Sequence, residues 1–211
     1  MGCITLRRKK IQPVEIDKYY NVDKTKLILP FYFNSSLQGT KFEPATTSID
    51  FGIYYNMSLI HVKLPPKLET IIFSSHYDRS LKHVKFPKTL KNLIFKNDYD
   101  QSLENVNLPD NVTSIIFGDQ YNQQLDKVKF PKKLRSISFG RNFNKSIEML
   151  PDHIEDLSFR KLHMNVIELP KNIKKIRLFD LHDIPKIKDA SNGCMIVDKN
   201  NVAVDPYSIV V

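Results

Sequence analysis

A unit of about 22 residues recurs along most of this chain, and it limits the possible folds more than any other feature. Its clearest copy is residues 109–130, PDNVTSIIFGDQYNQQLDKVKF, which opens with a proline and is followed directly by the next one. The units start at Pro44, Pro65, Pro87, Pro109, Pro131, Pro151 and Pro170. Repetition at this period predicts an array of stacked units, each of which buries its apolar side against its neighbours.

Each unit places its apolar and polar residues at fixed positions. The third, sixth and eighth residues after the proline are apolar, as Val112, Ile115 and Phe117 show, and the alternation through the last two is typical of a strand. An aromatic row follows, at Phe33, Tyr55, Tyr77, Tyr99, Tyr121 and Phe143. The next residues are Asn34, Asn56, Asp78, Asp100, Asn122 and Asn144. Because such side chains bond nearby backbone groups, we expect them to form a ladder between successive turns.

These rows resemble the FNIP repeat family, a relative of the leucine-rich repeats that is known mainly from social amoebae and giant viruses. The resemblance rests on the Leu-Pro or Phe-Pro starts, the Ile-x-Phe strands, and the aromatic-Asn-x-x-Leu/Ile pattern of residues 121–125 and 143–147. It covers about residues 27–179, although Asp78 and Asp100 replace asparagine and the unit from Pro151 lacks the aromatic-Asn pair. Members of the family often carry an F-box before the repeats, which would imply ubiquitin-ligase adaptor work. Only about 26 residues precede the repeats here, so we expect no F-box.

The predicted fold is a mainly β, right-handed solenoid that is leucine-rich-repeat-like and has seven to eight coils. At ~4.8 Å per coil the stacked strands would span roughly 35 Å. The Val-x-Leu/Phe-Pro ending of each unit predicts a second short strand, which the proline would terminate. Residues 1–26 would form a basic N-terminal cap, residues 27–179 the solenoid, and residues 180–211 a capping β-hairpin with a tail.

The residues that alternate with the core predict a binding surface, because successive side chains of a strand point to opposite faces. In leucine-rich-repeat-like solenoids the outward sheet face is the usual binding surface, and contiguous exposed apolar residues usually mark an interface. We predict that an unidentified protein partner binds at Ile72, Ile94, Ile116, Lys96, Ser138, Arg160 and Arg177. The alternative is that isoleucine merely suits stacked strands, or that another part of the chain covers the row.

A second candidate surface is basic. Its lysines stand two residues before the prolines or just after them, at Lys63, Lys85, Lys129, Lys67, Lys88, Lys132 and Lys133. Such rows could bind nucleic acid or another polyanion, with a steep dependence on salt, and this is the alternative function. The net charge of +9 and the pI of about 9.4 agree with it. A composition rich in lysine, asparagine and isoleucine is also what AT-rich coding produces, so we favour protein binding.

The N-terminus, MGCITLRRKK, contains a possible acylation signal. Gly2 could take myristate and Cys3 palmitate, and the basic run that follows would favour anionic headgroups. Leu6 occupies the position where serine or threonine is preferred, so an ordinary basic N-terminus is the other interpretation. We expect binding to a membrane only if this end is acylated.

The sequence contains no recognisable catalytic constellation, metal motif or phosphate-binding loop. We therefore expect no enzyme activity, no cofactor, no metal and no small-molecule substrate. No apolar run reaches the ~18 residues of a membrane span, and no apolar segment follows the basic N-terminus. The two cysteines lie near opposite ends of the chain, which predicts a reducing environment and a cytoplasmic protein, in the host cell if it is viral.

Overall fold

The computed structural model describes residues 13–163, 169–187 and 193–204, which form nine short strands and two 3₁₀ helices. The strands are β1 Lys26–Ile28, β2 Ser48–Asp50, β3 Thr70–Ile72, β4 Asn92–Ile94, β5 Ser114–Ile116, β6 Ser136–Phe139, β7 Asp156–Phe159, β8 Lys175–Leu178 and β9 Met195–Val197. The 3₁₀ helices are Asp17–Tyr19, before β1, and Leu181–Lys186, between β8 and β9.

The nine strands form one parallel sheet in which every strand pairs with the next one in sequence. The register advances by 22 residues per coil from β1 to β6, as from Ile115 to Ile137. It then advances by 20 residues to Leu157 and by 19 to Ile176, so the shorter units stay in register by shortening their loops. This arrangement confirms the predicted β-solenoid of units about 22 residues long, and it shows that the stacked strands are parallel.

Between residues 44 and 150, the coils are closed by two turns each rather than by a second strand. The amide of Val112 donates to the carbonyl of Pro109 at 3.0 Å, and the amide of Val128 donates to that of Leu125 at 3.1 Å. The same two bonds recur in the neighbouring coils. The predicted strand at the Val-x-Leu/Phe-Pro ending is therefore wrong for the described coils. Its valine amides are used inside their own coil and are not available to a neighbouring coil.

Two rows of aromatic rings fill the core behind the sheet. The first is Phe51, Phe73, Phe95, Phe117, Phe139 and Phe159, and the second is Phe33, Tyr55, Tyr77, Tyr99, Tyr121 and Phe143. All of these rings are buried, with ring centroids 4.6–6.0 Å apart along the first row and 6.1–6.3 Å apart along the second. Rings this close contribute stacking contacts in addition to the apolar area that they bury.

The predicted ladder of short polar side chains is confirmed. From Asn34 to Asn122, each Oδ1 atom in the row accepts a hydrogen bond from the backbone amide of the equivalent residue one coil later. The bond from the Asp100 amide to Asp78 is 3.1 Å long, and the bond from the Asn122 amide to Asp100 is 2.8 Å long. Aspartate can replace asparagine in this row because the position needs only an acceptor oxygen.

Four buried tyrosine hydroxyls in the second aromatic row have no hydrogen-bond partner among the described residues. They belong to Tyr55, Tyr77, Tyr99 and Tyr121. Burial raises the pKa of all four phenols well above the ordinary value near 10, because a phenolate would lose its hydration there. The row is therefore compatible only with neutral tyrosine.

We expect the protein to lose stability steeply as the pH rises above about 10. The unfolded phenols ionise there while the folded ones cannot, so each buried tyrosine removes ~1.4 kcal/mol of unfolding free energy per pH unit. Urea unfolding at pH 9, 10 and 11 measures this slope, and Tyr99→Phe should reduce it by about a quarter. An equal slope in the wild type and the variant would contradict the interpretation.

Gly118 lies directly against the backbone of the preceding coil. A Cβ atom on this residue would lie 1.3 Å from the carbonyl oxygen of Lys96 on the preceding coil. We expect Gly118→Ala to lower the free energy of unfolding by about 1–3 kcal/mol, because the two backbones must separate to admit the methyl group. Urea unfolding checks this, with Ser114→Ala as a control on the same coil. An unchanged midpoint for Gly118→Ala would show that the coils separate at little cost.

The two ends of the sheet carry different closures. At the N-terminal end, Tyr20 forms an antiparallel bridge with Leu27, and its hydroxyl accepts a bond from the amide of Glu43 at 3.1 Å. At the C-terminal end, β9 pairs with β8, and the chain then turns back so that Val197 bridges Ala203. The first strand of the expected C-terminal hairpin is therefore β9, which joins the parallel sheet. The second strand of that hairpin is reduced to the single bridge at Ala203.

Candidate functional site

The outward face of the sheet carries the row of isoleucines singled out in the sequence. Ile72, Ile94 and Ile116 are paired side by side in the register of β3, β4 and β5. Ile116 is 38% exposed, whereas Ile72 and Ile94 are half-buried. The row therefore faces outward in the fold, and its most accessible member is Ile116, where the row ends.

An ion pair lies across the N-terminal part of this row. The ammonium of Lys96 is 3.0 Å from Oδ1 of Asp50, two coils away, and it also donates to the carbonyl of Gly52 at 3.1 Å. Both side chains are less than one third exposed. The lysine predicted to bind a partner is therefore already paired with an internal carboxylate. The two opposite charges neutralise each other on the N-terminal part of the face.

The C-terminal part of the face contains an open groove of about 550 Å³, which we call the sheet-face groove. Five of the seven residues predicted to bind a partner line it, namely Lys96, Ile116, Ser138, Arg160 and Arg177. Ile72 and Ile94 do not line it. The groove thus begins where the isoleucine row ends, and the serines of β6 and β7 form part of its lining.

Three side chains define the far wall of the groove. The guanidinium of Arg160 lies 5.8 Å from the ring centroid of Phe179, which is 41% exposed, and it is fixed by bonds of 3.1 and 3.2 Å to the carboxylate of Asp119. Arg177 donates from Nη2 to Oδ1 of Asn201 at 2.9 Å. Its Nε is buried and has no hydrogen-bond partner among the described residues. Phe179 and Asn201 were not among the predicted binding residues, because both lie where the repeat has ended or is ending.

A second cavity, of about 750 Å³, adjoins the groove at Arg160 and Phe179, and we call it the loop-edge pocket. Its lining includes Arg141, Lys161, Lys199, His163 and His182. Lys161 is paired at 2.6 Å with Asp180, and bonds from Lys161 and His182 hold the pKa of that carboxyl far below its ordinary value. The two cavities thus share Arg160 and Phe179 as lining residues.

The lysine rows of the alternative function lie elsewhere on the molecule. Lys63, Lys85 and Lys129 are exposed, and none has an ion-pair partner within the described part of the chain. Asn107 takes the equivalent position between the last two, which interrupts the row. Farther along, Lys132 is 3.4 Å from a carboxylate oxygen of Asp110, and Lys133 donates to Asn111 at 2.8 Å.

An exposed aromatic patch on the first two coils was not predicted from the sequence. Its members are Ile28, Phe31, Tyr32, Ile53 and Tyr54, which are 41–63% exposed. The later coils carry Ser75 and His76, or Asn97 and Asp98, at the corresponding loop positions, which the backbone bonds between coils align. The sequence signal for this patch was the presence of Ile53 and Tyr54 at positions where the later units carry polar residues. Contiguous apolar surface of this kind often marks an interface.

The possible acylation site at Gly2 and Cys3 lies outside the described residues. Neither 3₁₀ helix is long enough or apolar enough to span a membrane, and the described part of the chain has no other helix. Within residues 13–163, 169–187 and 193–204, no three His, Cys, Asp or Glu side chains come together as ligands for a metal ion.

The repeats match a known family over more than half of the chain. Residues 29–148 match six copies of the BspA type leucine-rich repeat region, and the chain belongs to this leucine-rich repeat family. Solenoids of this family and fold are typically non-enzymatic scaffolds that are commonly used for protein interaction.

Two solved structures are similar to this chain. One is described as CroV588, a novel circular LRR protein structure, and it matches with 22% identity and a TM-score of 0.66 over 84% of this chain. This chain spans only 27% of that protein, so the likeness concerns the fold. The other is the pneumococcal vaccine antigen PcpA, at 17% identity and a TM-score of 0.26, over 85% of this chain and 45% of that one. A comparison with curated proteins found no match.

Proposed function

We propose that this protein is a non-catalytic scaffold that binds a protein partner on the outward sheet face, with the contact centred on Ile116 and the sheet-face groove. The observation that carries the proposal is the groove itself, which has an exposed aliphatic wall at Ile116, an exposed aromatic wall at Phe179 and serine hydroxyls between them. Apolar anchors surrounded by polar groups are typical of protein interfaces.

The isoleucines alone would not hold a partner tightly. Burying an exposed isoleucine contributes roughly 1.5–3 kcal/mol, whereas association costs an estimated 4–15 kcal/mol. Ile72 and Ile94 are already half-buried, so they retain less area to bury on binding than Ile116 does. The polar and cationic residues of the groove must therefore contribute to any stable complex.

The experiment compares capture of a partner from native-host extract by the wild type and by Ile116→Ser. We expect this single substitution to abolish capture of the partner and to leave the circular dichroism spectrum unchanged, since the side chain is exposed. The matched control is the triple variant Lys63→Gln, Lys85→Gln and Lys129→Gln, which should capture the same partner as the wild type. If Ile116→Ser keeps the partner and the lysine variant loses it, the lysine rows are the binding surface.

The finer assignment of the repeats to the FNIP type and a cytoplasmic location are part of the same proposal. Support for the FNIP type comes from the Asn/Asp row, whose side chains from Asn34 to Asn122 each accept a bond from the backbone of the next coil. A fluorescent fusion expressed in the native host, or in the host cell of a virus, would test the location.

A further inference from the structure

We propose that the partner segment received by the sheet-face groove is an acidic peptide, with a large apolar residue against Ile116 and Phe179 and a neighbouring carboxylate on Arg177. This inference rests on the proposed function, and it specifies the chemistry of the partner.

Arg177 is the cationic residue of the groove that is best suited to bind an anion. Its side chain is half-buried at the groove, its guanidinium has no carboxylate within ion-pair distance among the described residues, and its buried Nε has no acceptor there. Within residues 13–163, 169–187 and 193–204, its one acceptor is the neutral amide oxygen of Asn201, at 2.9 Å. A partly desolvated guanidinium is best satisfied by a carboxylate, which can accept two of its N–H groups together.

The charge around Arg177 favours the same ligand. Lys96, Arg141, Arg160, Lys161, Arg177 and Lys199 line the two adjoining cavities, against the carboxylates of Asp156 and Asp180. The carboxylate of Asp119 pairs with two guanidinium groups. Its Oδ2 lies 3.7 Å from Nε of Arg141, and its Oδ1 lies 3.1 Å from Nη1 of Arg160. An acidic peptide leaving the groove past Phe179 would continue along the basic lining of the loop-edge pocket.

The pairing of these charged residues disfavours a nucleic acid as the occupant of the groove. Of those six cations, only Arg177 and Lys199 lack a carboxylate within ion-pair distance among the described residues. Tight binding of a nucleic acid typically uses about 6–10 phosphate contacts, which this surface does not offer without breaking its own ion pairs. Ile116 and Phe179 supply apolar contacts that a phosphate backbone would not use but that a peptide side chain would.

The test begins with a random 12-residue peptide library displayed on phage and selected on the immobilised full chain. We expect the enriched peptides to contain Asp or Glu beside Ile, Leu, Phe or Tyr. The most enriched peptide is then synthesised together with a version in which Asn or Gln replaces the acidic residues, and both are titrated by fluorescence polarisation.

The titrations form a double-mutant cycle. Arg177→Gln should lower the affinity for the acidic peptide at least about tenfold, and the amide peptide should bind the wild type with a similarly reduced affinity. Because both changes remove the same contact, combining them should cause no further loss. Lys63→Gln removes the same unit of charge away from the groove and should have no such effect. If Arg177→Gln fails to fold, Arg177→Lys or the surface variant Lys199→Gln takes its place in the cycle. Each of these should also lower the affinity for the acidic peptide.

The outcomes separate this inference from the proposed function. Enriched peptides without acidic residues that still need Ile116 would overturn the acidic-peptide inference and leave the scaffold function in place. Failure to enrich any peptide, together with unchanged partner capture by Ile116→Ser, would overturn both. Binding of a single-stranded 20-nucleotide DNA that competes with the peptide and depends on Arg177 would assign the groove to a polyanion instead.

Discussion

Replacing Phe117 by alanine should lower the free energy of unfolding by about 3–5 kcal/mol. The ring is buried at the centre of the first aromatic row, with ring centroids 5.6 Å from Phe95, 5.7 Å from Phe139 and 3.8 Å from Tyr121. Because three rings pack against it on two neighbouring coils and its own, the cavity left by alanine cannot be filled by one small movement. Urea unfolding followed by circular dichroism measures the loss.

The matched control is Phe31→Ala, since the Phe31 ring is 59% exposed and belongs to the loop patch rather than to the core. It should change the free energy of unfolding by no more than about 0.5 kcal/mol. Equal effects of the two substitutions would mean that the stacked rings do not stabilise the solenoid. Because the core of each coil packs against the cores of its neighbours, Phe117→Ala should also broaden the transition, as the coils on either side begin to unfold separately.

Replacing Asp183 by alanine should cost about 3–5 kcal/mol, the second large effect that we expect. This carboxylate is buried in the C-terminal 3₁₀ helix, where Oδ2 accepts the amide of Leu162 at 2.8 Å and Oδ1 lies 2.6 Å from the ammonium of Lys186. Without it, a buried amide loses its acceptor and two lysines, Lys186 and Lys161, lose their shared counter-ion. Thermal unfolding of Asp183→Ala and Asp183→Asn measures the loss.

The control for this substitution is Asp152→Ala, because Asp152 pairs with Lys171 on the surface at 2.9 Å. Solvent screens that pair, so the midpoint of thermal unfolding should not move. If Asp183→Ala unfolds at the wild-type temperature, the 3₁₀ helix does not close the end of the core. If Asp183→Asn is as stable as the wild type, hydrogen bonding rather than charge is what the site requires.

The part of the fold that the sequence predicted is the part that repeats. Ile115 and Phe117 alternate as a strand must, and Asn122 returns at the same position in unit after unit, so the inward rows and the polar ladder follow from the period. The second strand was predicted wrongly at Val128, because an apolar-x-apolar ending looks the same in a strand and in a turn whose amide bonds to Leu125.

The candidate site could be predicted only in part, because it depends on residues that break the repeat. Ile116 and Arg177 were placed on the outward face by alternation alone. Phe179, Asn201 and the aromatic patch around Phe31 were not among the predicted binding residues, since they lie in the irregular ends or loops of the array.

By itself, the sequence determined the period of the solenoid, the identity of its inward rows and the positions that face outward, because these depend on spacings within one unit. Only the tertiary structure decided how the outward charges are used. Lys96 reaches Asp50 and Arg160 reaches Asp119, each across two coils, while Arg177 has no carboxylate within ion-pair distance in the described part of the chain. A long side chain can reach acceptors on several coils, and the choice among them depends on distances that no single unit contains.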